Sequence, residues 1–258
     1  KTKFDLALMC IHGTPGEDGK LQGYFDFLGI PYTSCDAATS ALTMNKRYTV
    51  AVAAFGGIHV ARSLHLFRHT PVAPETILAQ LSLPLFVKPN SGGSSIGMSK
   101  VNAAQELEPA LEKAFREDAQ LLVEEFISGR EFTIGVFKQG NLIEVLPITE
   151  IKSENDFFDF EAKYQGKSTE ITPAQISAHL HEVLSAAAKR VYEIFNCRGV
   201  VRIDFIYDEA KDQAYMLEVN TVPGQSAASV IPQQVRAKNM SLQDFYSALI
   251  QQALPLPA

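Results

Sequence analysis

One stretch near the C-terminal end constrains this chain more than any other. Residues 200–207 and 214–219 are two runs that alternate apolar and polar side chains, joined by a polar segment at 208–213. Period-two alternation around a short polar connection predicts an antiparallel hairpin with one apolar and one polar face. The polar face carries Arg202 and Asp204 on the first strand, with Glu218 and Asn220 on the second. If the turn centres on Lys211, Asp204 stands opposite Glu218 and Arg202 opposite Asn220. A slip of one residue would turn the whole set to the other face. Opposed carboxylates destabilise a sheet, so the pair calls for a cation between them. Two carboxylates and an amide are the oxygen donors that Mg²⁺ accepts while substrate phosphates complete its shell. A solvated polar face would also explain the charges. It explains less well why Val, Ile, Phe and Leu alternate so cleanly with them.

A second pattern points to those phosphates. Lys88-Pro89 runs into a Gly/Ser-rich loop at 90–97 that contains Ser94 and Ser95. Small residues let backbone N–H groups close on an anion, and Lys88 can neutralise its charge. The lysine precedes the glycines and a strand follows, so this is neither a Walker A loop nor a GxGxxG turn. A hairpin closing over nucleotide phosphates fits better. Residues 121–131 place Glu124 and Glu125 at the end of an apolar strand and Glu131 after a turn, an edge able to hold an adenine amino group and a ribose hydroxyl. Residues 220–224 (NTVPG) continue from the polar face, and the Gly224 amide beside Arg202 could stabilise an oxyanion. The six histidines form no HExxH or triad-like set.

Composition sets the remaining bounds. With 258 residues, 46% of them apolar, the chain has ample material for a core. Its net charge of −6 argues against a nucleic-acid partner. No apolar run is long enough to span a bilayer, which predicts no membrane partner. Three widely spaced cysteines predict no zinc cluster and no disulfide framework, but buried or partly buried residues in a reducing cytoplasm.

Further elements follow from patterning. Residues 4–11 read as a strand buried on both faces, followed by a glycine-rich loop at 13–19 and a short helix ending at Gly29. Residues 37–55 have helical spacing punctuated at 45–47, and 56–76 give no clear signal. Residues 85–87 and 98–101 read as strands, with Asn102 and Gln105 as a capping box for a helix bearing Leu107, Leu111, Ala114 and Phe115. Residues 121–127 are a strand, and 131–137 with 142–148 a hairpin. Residues 152–171 lack periodicity and read as a functional loop. Thr172-Pro173 suggests a helix start, and 241–254 a final helix.

Taken together and in this order, the motifs resemble the ATP-grasp superfamily of carboxylate–amine ligases, and within it the D-alanine–D-alanine ligase family. The resemblance rests on HGTPGEDG (12–19), KPNSGGSSIGMSKV (88–101), EEFISGREFT (124–133), LPITEI (146–151), FEAKY (160–164), RIDF (202–205) and LEVNTVPGQSAASVIP (217–232). It implies an α/β (α+β) ATP-grasp fold: the remainder of an N-terminal parallel α/β domain (1–42), then two α+β subdomains gripping ATP (43–126 and 127–258). It also implies ligation of two D-alanines through an acyl phosphate, for peptidoglycan precursors, by a cytoplasmic homodimer using ATP and a pair of Mg²⁺ ions, with Mn²⁺ as a substitute.

By the same resemblance, Lys46, Lys88, Ser94 and Ser95 would contact or cover the phosphates, and Glu124, Glu125, Ile127 and Glu131 would hold adenine and ribose. Asp204, Glu218 and Asn220 would bind the metal, and Arg202 and Gly224 the oxyanion. Ser229 would hold the second carboxylate, with His12 nearby. Lys163 and Tyr164 would lie on a closing loop, Tyr164 bonding Ser94 and favouring the dipeptide product. The family begins with a further strand and glycine-rich loop whose Glu binds the first substrate's ammonium, so a segment preceding Lys1 is expected. The alternatives are a ligase of the D-alanine–D-lactate type or a non-catalytic ATP-binding module.

Overall fold

The computed structural model describes residues 4–92, 96–153 and 168–254. Two antiparallel sheets organise them. The smaller has the order β1-β4-β2-β3, built from β1 (Ser63–Phe67), β2 (Leu85–Pro89), β3 (Ser99–Val101) and β4 (Gln120–Glu125). The larger has the order β10-β9-β5-β7-β8, from β5 (Arg130–Gln139), β7 (Thr149–Ser153), β8 (Ser168–Ile171), β9 (Val201–Asp208) and β10 (Gln213–Asn220). β6 (Leu142–Val145) also pairs with β5.

Each sheet buries one face under helices, and parts of the opposite faces carry the candidate site. On the small sheet, Leu85, Val87, Leu121 and Val123 pack with Leu107, Leu111 and Ala114 of α5 (Leu107–Glu117) and Ile77 of α4 (Pro74–Leu78). Alternation therefore turns Phe86, Lys88, Leu122 and Glu124 the opposite way. On the large sheet, Phe132, Ile134, Val201, Ile203 and Phe205 pack against Leu180, Leu184, Ala188 and Val191 of α6 (Ala178–Ile194), and against Ala53 of α3 (Lys46–Phe55). A separate cluster joins Phe137 and Leu146 to Ile231 and Val235 of α7 (Val230–Ala237) and to Phe245 and Leu249 of α8 (Leu242–Ala253).

Several expectations change here. Among the described residues, 4–11 form no ladder. They make one parallel bridge, Ala7 to Tyr32, and leave Phe4, Leu8, Ile11 and Cys10 exposed. An extended segment with a single partner cannot bury both faces. Cys35 and Cys197 are buried as expected. Glu106, not Gln105, folds back onto the backbone N–H groups of Asn102 and Ala103, because a 3-10 turn at Ala104–Glu106 precedes α5. Ser177, not Thr172, caps α6, accepting from the Leu180 N–H at 3.1 Å. The ends of 152–171 are strand, β7 pairing with β8. Helix α7, eight residues with Pro232 near its start, is too short to show a periodic apolar stripe in the sequence.

The helical run at 37–55 divides at Asn45 into α2 (Ala37–Met44) and α3, because that residue closes one helix in an extended conformation and caps the next through its side chain. Helix α1 (Lys20–Leu28) ends at Gly29 as expected, at φ 66°.

Candidate active site

The hairpin β9–β10 sets the centre of the site. Glu218 pairs with Asp204 and Asn220 with Arg202, as a turn centred on Lys211 requires. Nearer the turn, however, Gln213 pairs with Asp208 and Met216 with Phe205. Leu217 is one extra residue on β10, a bulge that shifts the register. Its effect shows in burial: Ala214, Met216 and Val219 face the core, a spacing of two and then three. Without the bulge Glu218 would pair with Ile203 and face the core side.

On the polar face the charges interlock. Arg202 grips Asp204 with two hydrogen bonds, Nε to Oδ1 at 3.0 Å and Nη2 to Oδ2 at 2.9 Å, and its Nη2 lies 3.6 Å from Glu218 Oε1. The Asn220 amide nitrogen is 3.4 Å from both Asp204 Oδ2 and Glu218 Oε1. Thr133, opposite Asp204 on β5, donates its hydroxyl to Oδ1. Burial works against the charged guanidinium of Arg202. Its contacts with Asp204, and the fields of Glu218 and Glu17, outweigh this and raise its pKa above the ordinary arginine range.

The donor set fits a hard divalent cation. Two carboxylates and an amide converge, and Mg²⁺ is commonly held by one or two carboxylates with phosphates and water supplying the rest. Among the described residues no group of three or more His, Cys, Asp and Glu side chains is placed to hold a metal ion; here an amide joins the two carboxylates. Asn220 would have to turn its amide to offer oxygen, an orientation set by the hydrogen-bond network.

The small sheet contributes the candidate nucleotide residues. Lys88 donates to Glu124 Oε1, and its ammonium lies 5.4 Å from the Phe86 ring centre. Lys46 opens α3 and reaches the entrance of the Gly/Ser loop, Nζ donating to Gly92 O at 2.7 Å. Buried Asn90 fixes that junction, accepting from the N–H groups of Lys46 at 3.0 Å and Arg47 at 2.9 Å. Glu131 shares the face of Thr133 and Asp204 on the large sheet, and Ile127 is half-buried between the sheets' strands. Glu125 is turned the other way. It accepts from Ser82 N at 2.8 Å and faces Arg62 at 3.4 Å. Ser94, Ser95, Lys163 and Tyr164, with the expected Tyr164–Ser94 bond, lie outside the described residues.

The loop after β10 collects the rest. A Cβ placed on Gly224 would lie 2.8 Å from Ser229 Oγ, so this backbone and hydroxyl are neighbours. Ser229 Oγ also accepts from Ser226 N at 3.1 Å. His12 Nδ1 lies 3.0 Å from Val222 O and 2.9 Å from Glu17 Oε2. The bond to Glu17 raises the His12 pKa against the opposing effect of burial.

Glu17 is the residue that sequence reasoning missed. It is 6% exposed, and its two oxygens accept from Gly13 N at 2.7 Å and Val222 N at 2.8 Å. It thereby clamps the 12–19 loop onto the 220–224 loop. In the sequence it was one acid beside another, Asp18, in a glycine-rich loop, and nothing local marks it as buried.

The chain has clear relatives among known proteins. The profile described as "D-ala D-ala ligase C-terminus" matches residues 46–251, and "D-ala D-ala ligase N-terminus" matches 1–35. The chain is 45% identical over 251 residues to a D-alanine–D-alanine ligase of Parabacteroides distasonis, covering 97% of this chain and 76% of that protein. It is 46% identical over 254 residues to one of Flavobacterium johnsoniae, covering 98% and 78%. Among solved structures, the VanG D-Ala:D-Ser ligase from Enterococcus faecalis superposes with a TM-score of 0.90 at 36% identity, covering 98% of this chain and 74% of that one. The Bacillus anthracis D-alanine–D-alanine ligase complexed with ATP gives 0.84 at 30% identity, covering 97% and 79%.

Proposed function

Since the chain belongs to the D-alanine–D-alanine ligase family, we propose that it joins two D-alanines at the expense of ATP, the dipeptide serving peptidoglycan synthesis. The observation that carries this reading is the cluster at the start of β9 and the end of β10, where Arg202, Asp204, Glu218 and Asn220 meet, with Gly224 and Ser229 as neighbours on the loop that follows β10.

In the reaction, a carboxylate oxygen of the first D-alanine attacks the γ-phosphorus of ATP. The bond to the bridging oxygen breaks, and ADP departs. The resulting acyl phosphate is attacked at its acyl carbon by the amine of the second D-alanine. The tetrahedral oxyanion collapses with loss of phosphate, and the amine proton passes to solvent or base. Positioning and charge neutralisation supply most of the catalysis in such transfers.

Lys46 and Lys88 would meet the phosphate charge, and Glu124 and Glu131 would hold adenine and ribose. For ATP to enter, Lys88 must exchange its partner Glu124 for phosphate. Arg202, held charged, and the Gly224 amide would meet the developing oxyanion. Ser229 and His12 flank the loop where the second amino acid would sit. Asp204, Glu218 and Asn220 would hold Mg²⁺ or Mn²⁺, which screens phosphate charge when bound.

This reading takes D-alanine as the second substrate, as the names of the more similar relatives do, rather than the D-serine of the VanG enzyme. It also places the protein in the cytoplasm as a homodimer. Free cysteines and the absence, among the described residues, of any helix long and apolar enough to cross a membrane are consistent with that location. It divides the chain at 42/43 and 126/127; the second point falls between the two sheets, the first inside α2.

The test is phosphate release with MgATP and D-alanine, L-alanine or no amino acid. Release that requires D-alanine is expected, with Asp204→Asn and Glu218→Gln each abolishing it. Near-normal turnover in both variants would overturn the metal assignment, and release indifferent to D-alanine would overturn the ligase reading.

A further inference from the structure

Resting on the metal reading above, we propose that Thr133 is a positioning residue for the divalent cation, acting through its hydroxyl on the Asp204 carboxylate. Thr133 faces Asp204 directly in the β5–β9 ladder, and the two are 4% and 9% exposed. The two oxygens of Asp204 have different surroundings. Oδ1 accepts from the Thr133 hydroxyl and from Arg202 Nε at 3.0 Å, on the β5 side. Oδ2 accepts from Arg202 Nη2 at 2.9 Å and lies 3.4 Å from Asn220 Nδ2, on the side of Glu218. Oδ1 is thus the anchored oxygen, and Oδ2 the one presented to the other metal donors.

An aspartate carboxylate turns easily about its last torsion, so something must fix it. Arg202 does so in this structure, but the same guanidinium is the group expected to turn toward the oxyanion. When it leaves, the Thr133 hydroxyl is the remaining described anchor of Oδ1. Thr133 itself is well placed to hold position. Its β-branch restricts χ1. Its carbonyl accepts from Gln234 Nε2 at 2.9 Å. Buried Gln234 is pinned in turn by Gly135 N at 3.0 Å and Thr149 Oγ1 at 3.0 Å. Groups behind a ligand that fix its orientation typically change metal affinity by about 10- to 100-fold when removed.

The experiment measures Mn²⁺ alone as the probe, following the free-ion EPR signal as the whole chain is titrated. Thr133→Val is expected to weaken Mn²⁺ binding by about 10- to 100-fold, whereas Thr133→Ser, which keeps the hydroxyl, binds as the unsubstituted protein does. The Mg²⁺ concentration giving half-maximal turnover should rise in Thr133→Val, with the KM for D-alanine unchanged. Asp204→Asn is the control. If it loses Mn²⁺ while Thr133→Val does not, the Thr133 proposal falls and the metal reading stands. If Asp204→Asn binds Mn²⁺ unchanged, the metal reading fails and the proposal with it. Should Thr133→Val not fold, Thr133→Ala replaces it, and unweakened binding there overturns the proposal equally.

Discussion

Replacing Glu17 by Gln tests whether a single buried carboxylate holds the N-terminal loop over the site. In the native arrangement Oε1 accepts from Val222 N at 2.8 Å, and Oε2 from Gly13 N at 2.7 Å with His12 Nδ1 at 2.9 Å. Glutamine has one oxygen to offer. Whichever way the amide is turned, one backbone N–H then faces an NH₂ group. The least damaging orientation keeps Gly13 and His12 satisfied and orphans Val222. A hydrogen bond to a charged acceptor contributes about 1.5–3 kcal/mol, and a buried donor left unpaired costs a similar amount. We therefore expect a loss of about 2–3 kcal/mol, or about 4–12 °C in Tm for a chain of this size.

A second readout follows from His12, whose pKa is raised chiefly by its bond to Glu17. A raised histidine value means that the fold favours the protonated ring. That contribution is complete below the ordinary value near 6.5 and is lost as pH rises through the higher folded value. In Glu17→Gln the His12 titration, followed by NMR of its ring protons, should move down and this pH-dependent part of the stability should shrink. Thermal unfolding across pH and the NMR titration together are decisive. An unchanged Tm with an unmoved His12 titration would refute the clamp.

Two further outcomes test the frame around the site. Gly199 sits at φ 64°, and a Cβ there would lie 1.8 Å from Thr33 O, a backbone atom that cannot step aside. Gly199→Ala should lower stability by more than about 3 kcal/mol, beyond the usual effect of a point change, and unchanged denaturant unfolding would show that the contact between 33–34 and 199 is misread. Gln234→Leu leaves Gly135 N unpaired in the interior, at about 1–3 kcal/mol, and removes one of the donors to Thr133 O, which keeps its place in the β5–β7 ladder. Denaturant unfolding should show a loss of about 1–3 kcal/mol, and hydrogen exchange at Gly135 should accelerate.

How much was legible in advance differs by element. Strands whose partners lie next in sequence were readable, because alternation and a short connection specify pairing locally: β9 and β10 are the clearest case. Helices with a dense apolar stripe, α5, α6 and α8, were readable for the same reason. The segment at 4–11 misled, because an apolar run reveals a wish for burial but not its partners, and among the described residues it makes one bridge, Ala7 to Tyr32. Residues 56–76 stayed silent since β1 is a short edge strand and α4 barely more than one turn.

The amino-acid sequence by itself determined the family, the hairpin and the chemical identity of the donors, since motifs and period-two patterns are local properties of the chain. Only the tertiary structure decided which face those donors share. The turn-proximal register would have carried Glu218 away from Asp204, and the Leu217 bulge restored it. Tertiary contact also decided that the Glu125 side chain meets Arg62 and Ser82, and that Glu17, more than 200 residues from its partner Val222, ties the 12–19 loop to the 220–224 loop. These are choices among chemically equal carboxylates, made by packing and by the need to satisfy buried backbone N–H groups, and no local pattern encodes them.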